Sequence, residues 1–241
     1  MIFWVIGLTI ALAAGLLYYL LIVTEGTYLG VGVVIWLYDR VARRYDHIKN
    51  LNYVHESRFI GLPLSEALAD VDAPKVLDVA TGTGRAPLAL LREPDFQGTL
   101  VGVDRSALML ERARAALPEC DGRVTYLRGD AEALGFADSV FDAVVCLEAL
   151  EFMPHAARAV REMSRVLKPG GQMLLSNRVG ADARFYPGRL CKRGRLEQFL
   201  REIGLENVVM QRWQVHYDLV WARKPRADAP QAGSAPALRQ A

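Results

Sequence analysis

Lys75–Leu90 reads KVLDVATGTGRAPLAL: apolar residues, an acid, a small-residue turn with two glycines, then the period of a helix. A strand ending in such a turn and feeding a helix is the opening crossover of an open α/β sheet. Ligands of such sheets sit beyond the carboxyl ends of the strands at that point. The alternation continues along the chain. Strand-length apolar runs at Lys75–Val79, Thr99–Val103, Arg123–Leu127, Phe141–Cys146, Gln172–Ser176, Asn207–Gln211 and His216–Ala222 are separated by helical patterns. The helices fall at Arg85–Arg92, Ser106–Leu117, His155–Leu167 and Arg193–Ile203. The first strands are too apolar to face water on one side, as parallel strands covered on both faces must be. The fold class expected is α/β: an open, mostly parallel, seven-stranded Rossmann-like sheet with helices on both faces, preceded by a transmembrane helix.

The charges around the turn restrict its ligand. No Gly-Lys-Ser/Thr follows, so it is not a nucleoside-triphosphate loop. The dinucleotide pattern G-x-G-x-x-G is closer, but Pro87 stands at its third glycine, where close helix–strand packing is needed. Asp78 closes the strand just before the turn. A carboxylate there repels a pyrophosphate and attracts a cationic amine. Asp104 closes the second strand, TLVGVD, where a carboxylate can bind both ribose hydroxyls. The ligand implied has a ribose and a positive group but no phosphate, which describes S-adenosylmethionine. Both acids also have a plainer reading as helix N-caps, and their register with the turn favours the ligand.

Four blocks then carry a resemblance: VLDVATGTGR, VGVDRSALML, GDAEALGFADSVFDAVVCLEALEFM and VLKPGGQMLLS, in that order. The sequence resembles the class I S-adenosylmethionine-dependent methyltransferases, in the type-11 group that includes the quinone-biosynthesis C-methyltransferases. The likeness runs from Tyr38 to Gly171, opens with YDRVARRYD (Tyr38–Asp46), and weakens toward Lys224. It implies that Asp78, Ala80, Gly82 and Gly84 surround the methionine part of the cofactor, with the turn amides, Thr81 included, near its carboxylate. It implies Asp104 on the ribose, Arg105 and Met109 flanking the adenine, and Asp130 and Ala131 at the adenine edge. Leu147 would line the methyl-donor side and Tyr45 would close over the methionine end. Ala80 departs from the family, where glycine is commoner. Plainer readings stand beside these: Asp130 as a turn former, Met109 as core, and Lys168–Gly171 as a tight turn before the fifth strand.

The chain has 241 residues, 52% of them hydrophobic, and its mean hydropathy is +0.13. The excess is concentrated in Met1–Val23, which carries no charged side chain. As a helix it would span about 33 Å, enough for a bilayer's hydrocarbon core. A signal peptide normally begins with basic residues, and a helix apolar all round needs a large protein to bury it, so a membrane anchor is the expectation. Arg40, Arg43, Arg44 and Lys49 follow the segment and none precedes it, which places the catalytic domain in the cytoplasm of a single-pass protein at the cell membrane. The expected organisation is an anchor over 1–24, a juxtamembrane and helical segment over 25–74, a methyltransferase domain over 75–224, and a disordered Ala/Pro-rich tail over 225–241. A second apolar run, Tyr28–Leu37, is too short to span and would lie in the interface or pack on the domain. Cys120, Cys146 and Cys191 lack metal-ligand spacing and imply neither a disulfide framework nor a metal site. The net charge of +2 does not indicate nucleic acid, and the oligomeric state is not legible.

Methyl transfer from a sulfonium depends mainly on positioning and exclusion of water, and needs a base only where the acceptor loses a proton. Glu148, Glu151 and His155, at the exit of the fourth strand, are the candidates, with His155 also placed to start the next helix. Arg178, Arg184, Arg189, Lys192, Arg193 and Arg195 form a basic cluster with Phe185 and Tyr186, suited either to anionic headgroups or simply to water. An anchored enzyme implies a membrane-associated acceptor such as a quinone or a lipid headgroup. Methylation of a soluble small molecule or protein, and a non-catalytic S-adenosylmethionine-binding membrane protein, are the alternatives.

Overall fold

The computed structural model describes residues 1–42, 45, 53–117, 122–186, 190 and 192–226. Asp46, Arg43, Arg44, Lys49, Cys120, Arg189, Cys191 and the expected tail from position 227 lie outside the described residues. Strands β1 (Lys75–Val79), β2 (Thr99–Asp104), β3 (Val124–Arg128), β4 (Phe141–Cys146), β5 (Leu167–Arg178), β6 (Glu206–Arg212) and β7 (Tyr217–Arg223) form one sheet in the order β3-β2-β1-β4-β5-β7-β6. β1 to β5 pair in parallel, and β7 runs antiparallel to both neighbours. The order reverses between β1 and β4, so their carboxyl ends open a crevice at the position where open α/β sheets bind ligands.

Helices α1 (Ile2–Tyr18), α2 (Val31–Val41), α3 (Tyr53–Glu56) and α4 (Leu62–Ala67) precede the sheet. α5 (Arg85–Leu91), α6 (Ala107–Ala116), α7 (Ala156–Val166) and α8 (Arg195–Glu202) connect its strands. α7 buries Ala156, Ala159, Val160, Met163 and Val166, a stripe at helical spacing, against Leu77, Val144 and Leu175 on one face of the sheet. Ile60, Leu64 and Leu90 cover the other face over Val76, Ala143 and Leu174. Cys146 is fully buried in this core, which also explains why its thiol is pushed far up from its ordinary range.

One expectation is corrected. Lys168–Gly171 is not a turn ahead of β5 but lies inside it, because Leu167 already pairs with Phe141 and the register shifts before Ala143 meets Gln172. The segment is absorbed as a bulge: Gly170 adopts φ +80°, and its N–H reaches across the sheet end to the Lys224 carbonyl at 2.8 Å.

The N-terminal helix continues from α1 through a π-helical stretch, Tyr19–Val23, and no residue of either part is buried. A core helix would be mostly buried, so that reading fails here. By length and composition Ile2–Val23 can cross a membrane, a test that a signal sequence also passes.

Candidate functional site

The turn after β1 is built from alternating left-handed residues, Ala80 at φ +56°, Gly82 at +55° and Gly84 at +88°. Such alternation curls the backbone so that successive N–H groups face one concavity. Side chains brace it. Asp78 accepts the Thr81 hydroxyl at 2.6 Å, and Asp104 accepts the Gly82 N–H at 2.9 Å and the Ser106 N–H at 2.8 Å. Gly102 in β2 lies opposite, where an added Cβ would sit 2.7 Å from the Tyr126 ring and 3.0 Å from the Thr81 hydroxyl. Asp78 is fully buried, and burial pushes its carboxyl up to about 7; the Thr81 hydroxyl pulls it down and nearby Asp104 adds to the rise. Burial likewise raises Asp104, against the pull of its three backbone N–H partners at Ser106, Gly82 and Arg105.

A cleft opens beside this turn. Tyr45, Ala80, Gly82, Asp104, Arg105, Met109, Asp130, Ala131 and Leu147 all line it, so nine residues singled out in the sequence from five separate stretches converge there. Asp78, Thr81 and Gly84 stand behind the lining. Asp78 holds Thr81, while Gly84 starts α5 and passes so near Ala113 and Tyr126 that a side chain would not fit. Arg105 and Asp130, from the ends of β2 and β3, form an ion pair across the cleft floor. Burial works to raise Asp130, but the Glu132 N–H and the Arg105 guanidinium outweigh it and hold the carboxyl below its ordinary range. Met109 is buried and also lines the cleft.

The three candidate bases separate. Glu148 lines the cleft, at φ +50°, with its N–H donated to the Ser176 hydroxyl at 2.5 Å. Its carboxylate accepts from Arg85 and, at 3.1 Å, from Gln214. Glu151 points away into a polar cluster with Tyr217 and Arg178, and burial raises its carboxyl. His155 precedes α7, is exposed, and donates its backbone N–H to Glu132 at 3.0 Å. Neither Glu151 nor His155 lines the cleft.

Three features were missed in the sequence. α2 roofs the cleft with Val31, Val34, Ile35 and Tyr38, which recur at the i, i+3, i+4, i+7 spacing of one helix face. That period was present in the run read only as interfacial or packed. Arg85 carries a bidentate pair with Glu56 at 2.7 and 2.8 Å besides its pair with Glu148, and stacks 4.4 Å over Trp213. Glu25, just past the apolar helix, accepts the Tyr38 hydroxyl at 2.8 Å and the Tyr186 hydroxyl at 3.0 Å. No local signal marks the last two, because their partners lie far along the chain. The basic cluster is corrected in part. Arg178 turns inward to Glu151, Glu25 and the Tyr217 hydroxyl, so it is not offered to an anionic surface, while Arg193 stays half-exposed with its Nε on Asp218 at 2.9 Å.

Residues 77–175 match the family described as a methyltransferase domain. The match covers 99 of the 241 residues. The chain is 36% identical over 139 residues to a ubiquinone/menaquinone biosynthesis C-methyltransferase of Syntrophotalea carbinolica, covering 58% of each. It is 33% identical over 140 residues to a demethylmenaquinone methyltransferase of Lactiplantibacillus plantarum, covering 57% of this chain and 59% of that one. The chain thus spans under two thirds of the length of these curated relatives. A Haemonchus contortus phosphoethanolamine N-methyltransferase 2, solved with phosphomonomethylethanolamine and S-adenosylhomocysteine, shares the fold with a TM-score of 0.56 at 19% identity. That likeness covers 64% of this chain and 49% of the other.

Proposed function

We propose that the protein transfers a methyl group from S-adenosylmethionine to a membrane-associated acceptor, a quinone-type ring being favoured by its relatives, from a cytoplasmic domain anchored by Ile2–Val23. The observation that carries this reading is the placement of Asp104 in the cleft wall. It is held by two backbone N–H groups beside a left-handed turn and beneath an apolar roof that follows directly on the membrane-length helix. The donor set fits the cofactor: acids for hydroxyl and ammonium groups, apolar walls at Met109 and Val103 for a base, and, among the described lining residues, a single cation, Arg105, that is paired with Asp130. Asp104 would hold the ribose, Asp130 the adenine edge, and the Ala80–Gly84 turn the methionine end, with Tyr45 over it. When bound, the cofactor supplies a methyl group activated on a sulfonium.

The chain's own task is then to aim the acceptor, exclude water and, for a ring carbon or phenol, take up the displaced proton. Glu148 is the residue for that last step, since it alone among the three candidates lines the cleft. Its left-handed backbone is the kind of strain that surrounding structure sustains at functional positions, here through Ser176. The reading is tested with the full chain in lipid nanodiscs, titrated calorimetrically with S-adenosylmethionine and with NAD. Binding of the first alone, lost in Asp104→Ala, is the expected outcome. Labelled methyl transfer into a lipid extract from cells lacking the protein, abolished in Glu148→Gln with binding retained, tests the chemistry. Failure of the folded chain to bind S-adenosylmethionine would end the proposal.

A further inference from the structure

α2 has two apolar faces, and the cleft accounts for only one. Gly32, Trp36 and Arg40 recur at helical spacing on the opposite side, with Trp36 exposed to 48%, and the turn before α2 adds exposed Tyr28 and Leu29 at 50% and 43%. Arg40 continues the stripe and lays its guanidinium 4.0 Å over the Trp36 ring. An exposed aromatic stripe ending in an arginine is costly in water. It suits the boundary between lipid and water, where aromatic rings sit at the headgroups and arginine reaches the phosphates.

The stripe's position relative to the apolar helix is not left to a loose linker. Glu25 follows that helix by two residues and ties its end to α2 through Tyr38 and to the loop after β5 through Tyr186. Gly26, at φ +76°, lets Val33 and Leu37 pack so close that an added Cβ would lie 3.0 Å from each. At the same end of the helix, Tyr19 meets the edge of Phe185 at 5.9 Å, and Arg184 covers Phe185 at 4.9 Å. The Arg184–Phe185 pair therefore stands beside the last turn of the apolar segment, the level an anionic headgroup layer would occupy if that segment spans a bilayer.

We propose that the outer face of α2 is a docking surface for the bilayer itself, so that one helix rests in the headgroup layer and roofs the methyl-transfer cleft with its other face. The proposal rests on the reading of Ile2–Val23 as a membrane span. A lipid-dissolved acceptor then reaches the space under Val31, Val34 and Ile35 from the adjoining leaflet without crossing water, and the substrate class follows from the architecture.

The test uses the full chain reconstituted in phosphatidylcholine–phosphatidylglycerol vesicles whose lipids carry bromine near the top of the acyl chains, a short-range quencher of tryptophan. The chain has four tryptophans. Trp213 and Trp221 belong to the packed domain, so Trp4 reports the apolar helix and Trp36 reports α2. Trp36→Phe is expected to remove about half of the quenchable fluorescence and Trp4→Phe the rest, with the double variant as baseline. Quenching lost with Trp4→Phe but unchanged by Trp36→Phe would overturn the docking of α2 while leaving the anchor intact, and would assign the stripe to a protein partner. Quenching of neither residue would overturn the anchor and, with it, this inference.

Discussion

Cofactor binding should weaken as the solution is acidified through neutrality, because of Asp78. Its buried carboxyl titrates near 7 without a ligand, so it is mostly ionised at pH 8 and mostly protonated at pH 6. A cationic ammonium or sulfonium at the turn stabilises the carboxylate alone. If only the ionised form binds, the competent fraction falls from about nine tenths to about one tenth over that interval. The dissociation constant then rises about tenfold, or about 1.4 kcal/mol. Binding at pH 7 should release about half a proton, measurable by calorimetry in buffers of different ionisation enthalpy. The cofactor-free fold should respond in the opposite sense. An acid whose folded pKa is raised penalises the fold above about pH 7, and the penalty fades as pH falls toward the ordinary range near 4, so this group's contribution raises thermal stability from pH 8 to pH 6. Asp78→Asn should flatten both dependences and bind weakly throughout. An affinity unchanged between pH 6 and 8 with no proton release would refute the reasoning, as would the same slope surviving in Asp78→Asn.

Ala80→Gly should stabilise the protein: a left-handed alanine costs about 1–2 kcal/mol and glycine's extra unfolded-state freedom returns about 0.5–1, leaving up to about 1 kcal/mol, or about 2–4 °C in Tm. A lower Tm would show that the Ala80 methyl group packs favourably enough to outweigh its backbone. Arg85→Met should cost about 3–5 kcal/mol in denaturant unfolding, since it strands the buried carboxylates of Glu56 and Glu148; a loss below about 1 kcal/mol would mean they are separately satisfied. A chain beginning at Thr24 should keep its affinity for S-adenosylmethionine in equilibrium dialysis, whereas one beginning at Tyr38 cuts α2 and removes Val31, Val34 and Ile35. Losing the burial of even one of these three apolar side chains is worth about 1.5–3 kcal/mol, hence about tenfold or more in affinity, and equal affinities would remove α2 from the site.

Much of the architecture was legible because its determinants are local. Strand and helix periods between Lys75 and Arg223 placed every element of the sheet to within a few residues, with the start of β5 the largest miss. Lys-Pro-Gly-Gly has turn chemistry, and nothing near it announces that Leu167 will pair with Phe141 before the chain bends. The site divides along the same line. The Asp78–Gly84 turn and Asp104 lie at strand ends, where the alternation itself marks the crevice. α2's inner stripe was written in its i, i+3, i+4, i+7 spacing, yet a period says only that a helix has an apolar face and not what meets it.

By itself, the sequence determined a mostly parallel α/β sheet with a small-residue turn and two acids at its strand ends, and an apolar N-terminal helix long enough for a bilayer, since each follows from residue type at short spacing. Only the tertiary structure decided that Glu148 and not Glu151 borders the cleft, that Arg85 and Arg178 are spent on buried acids, and that Glu25 joins the apolar helix to α2. Those outcomes depend on which groups meet after the chain has closed loops of tens of residues. A charge or hydroxyl carries no mark of its partner until burial makes an unpaired one too costly to keep.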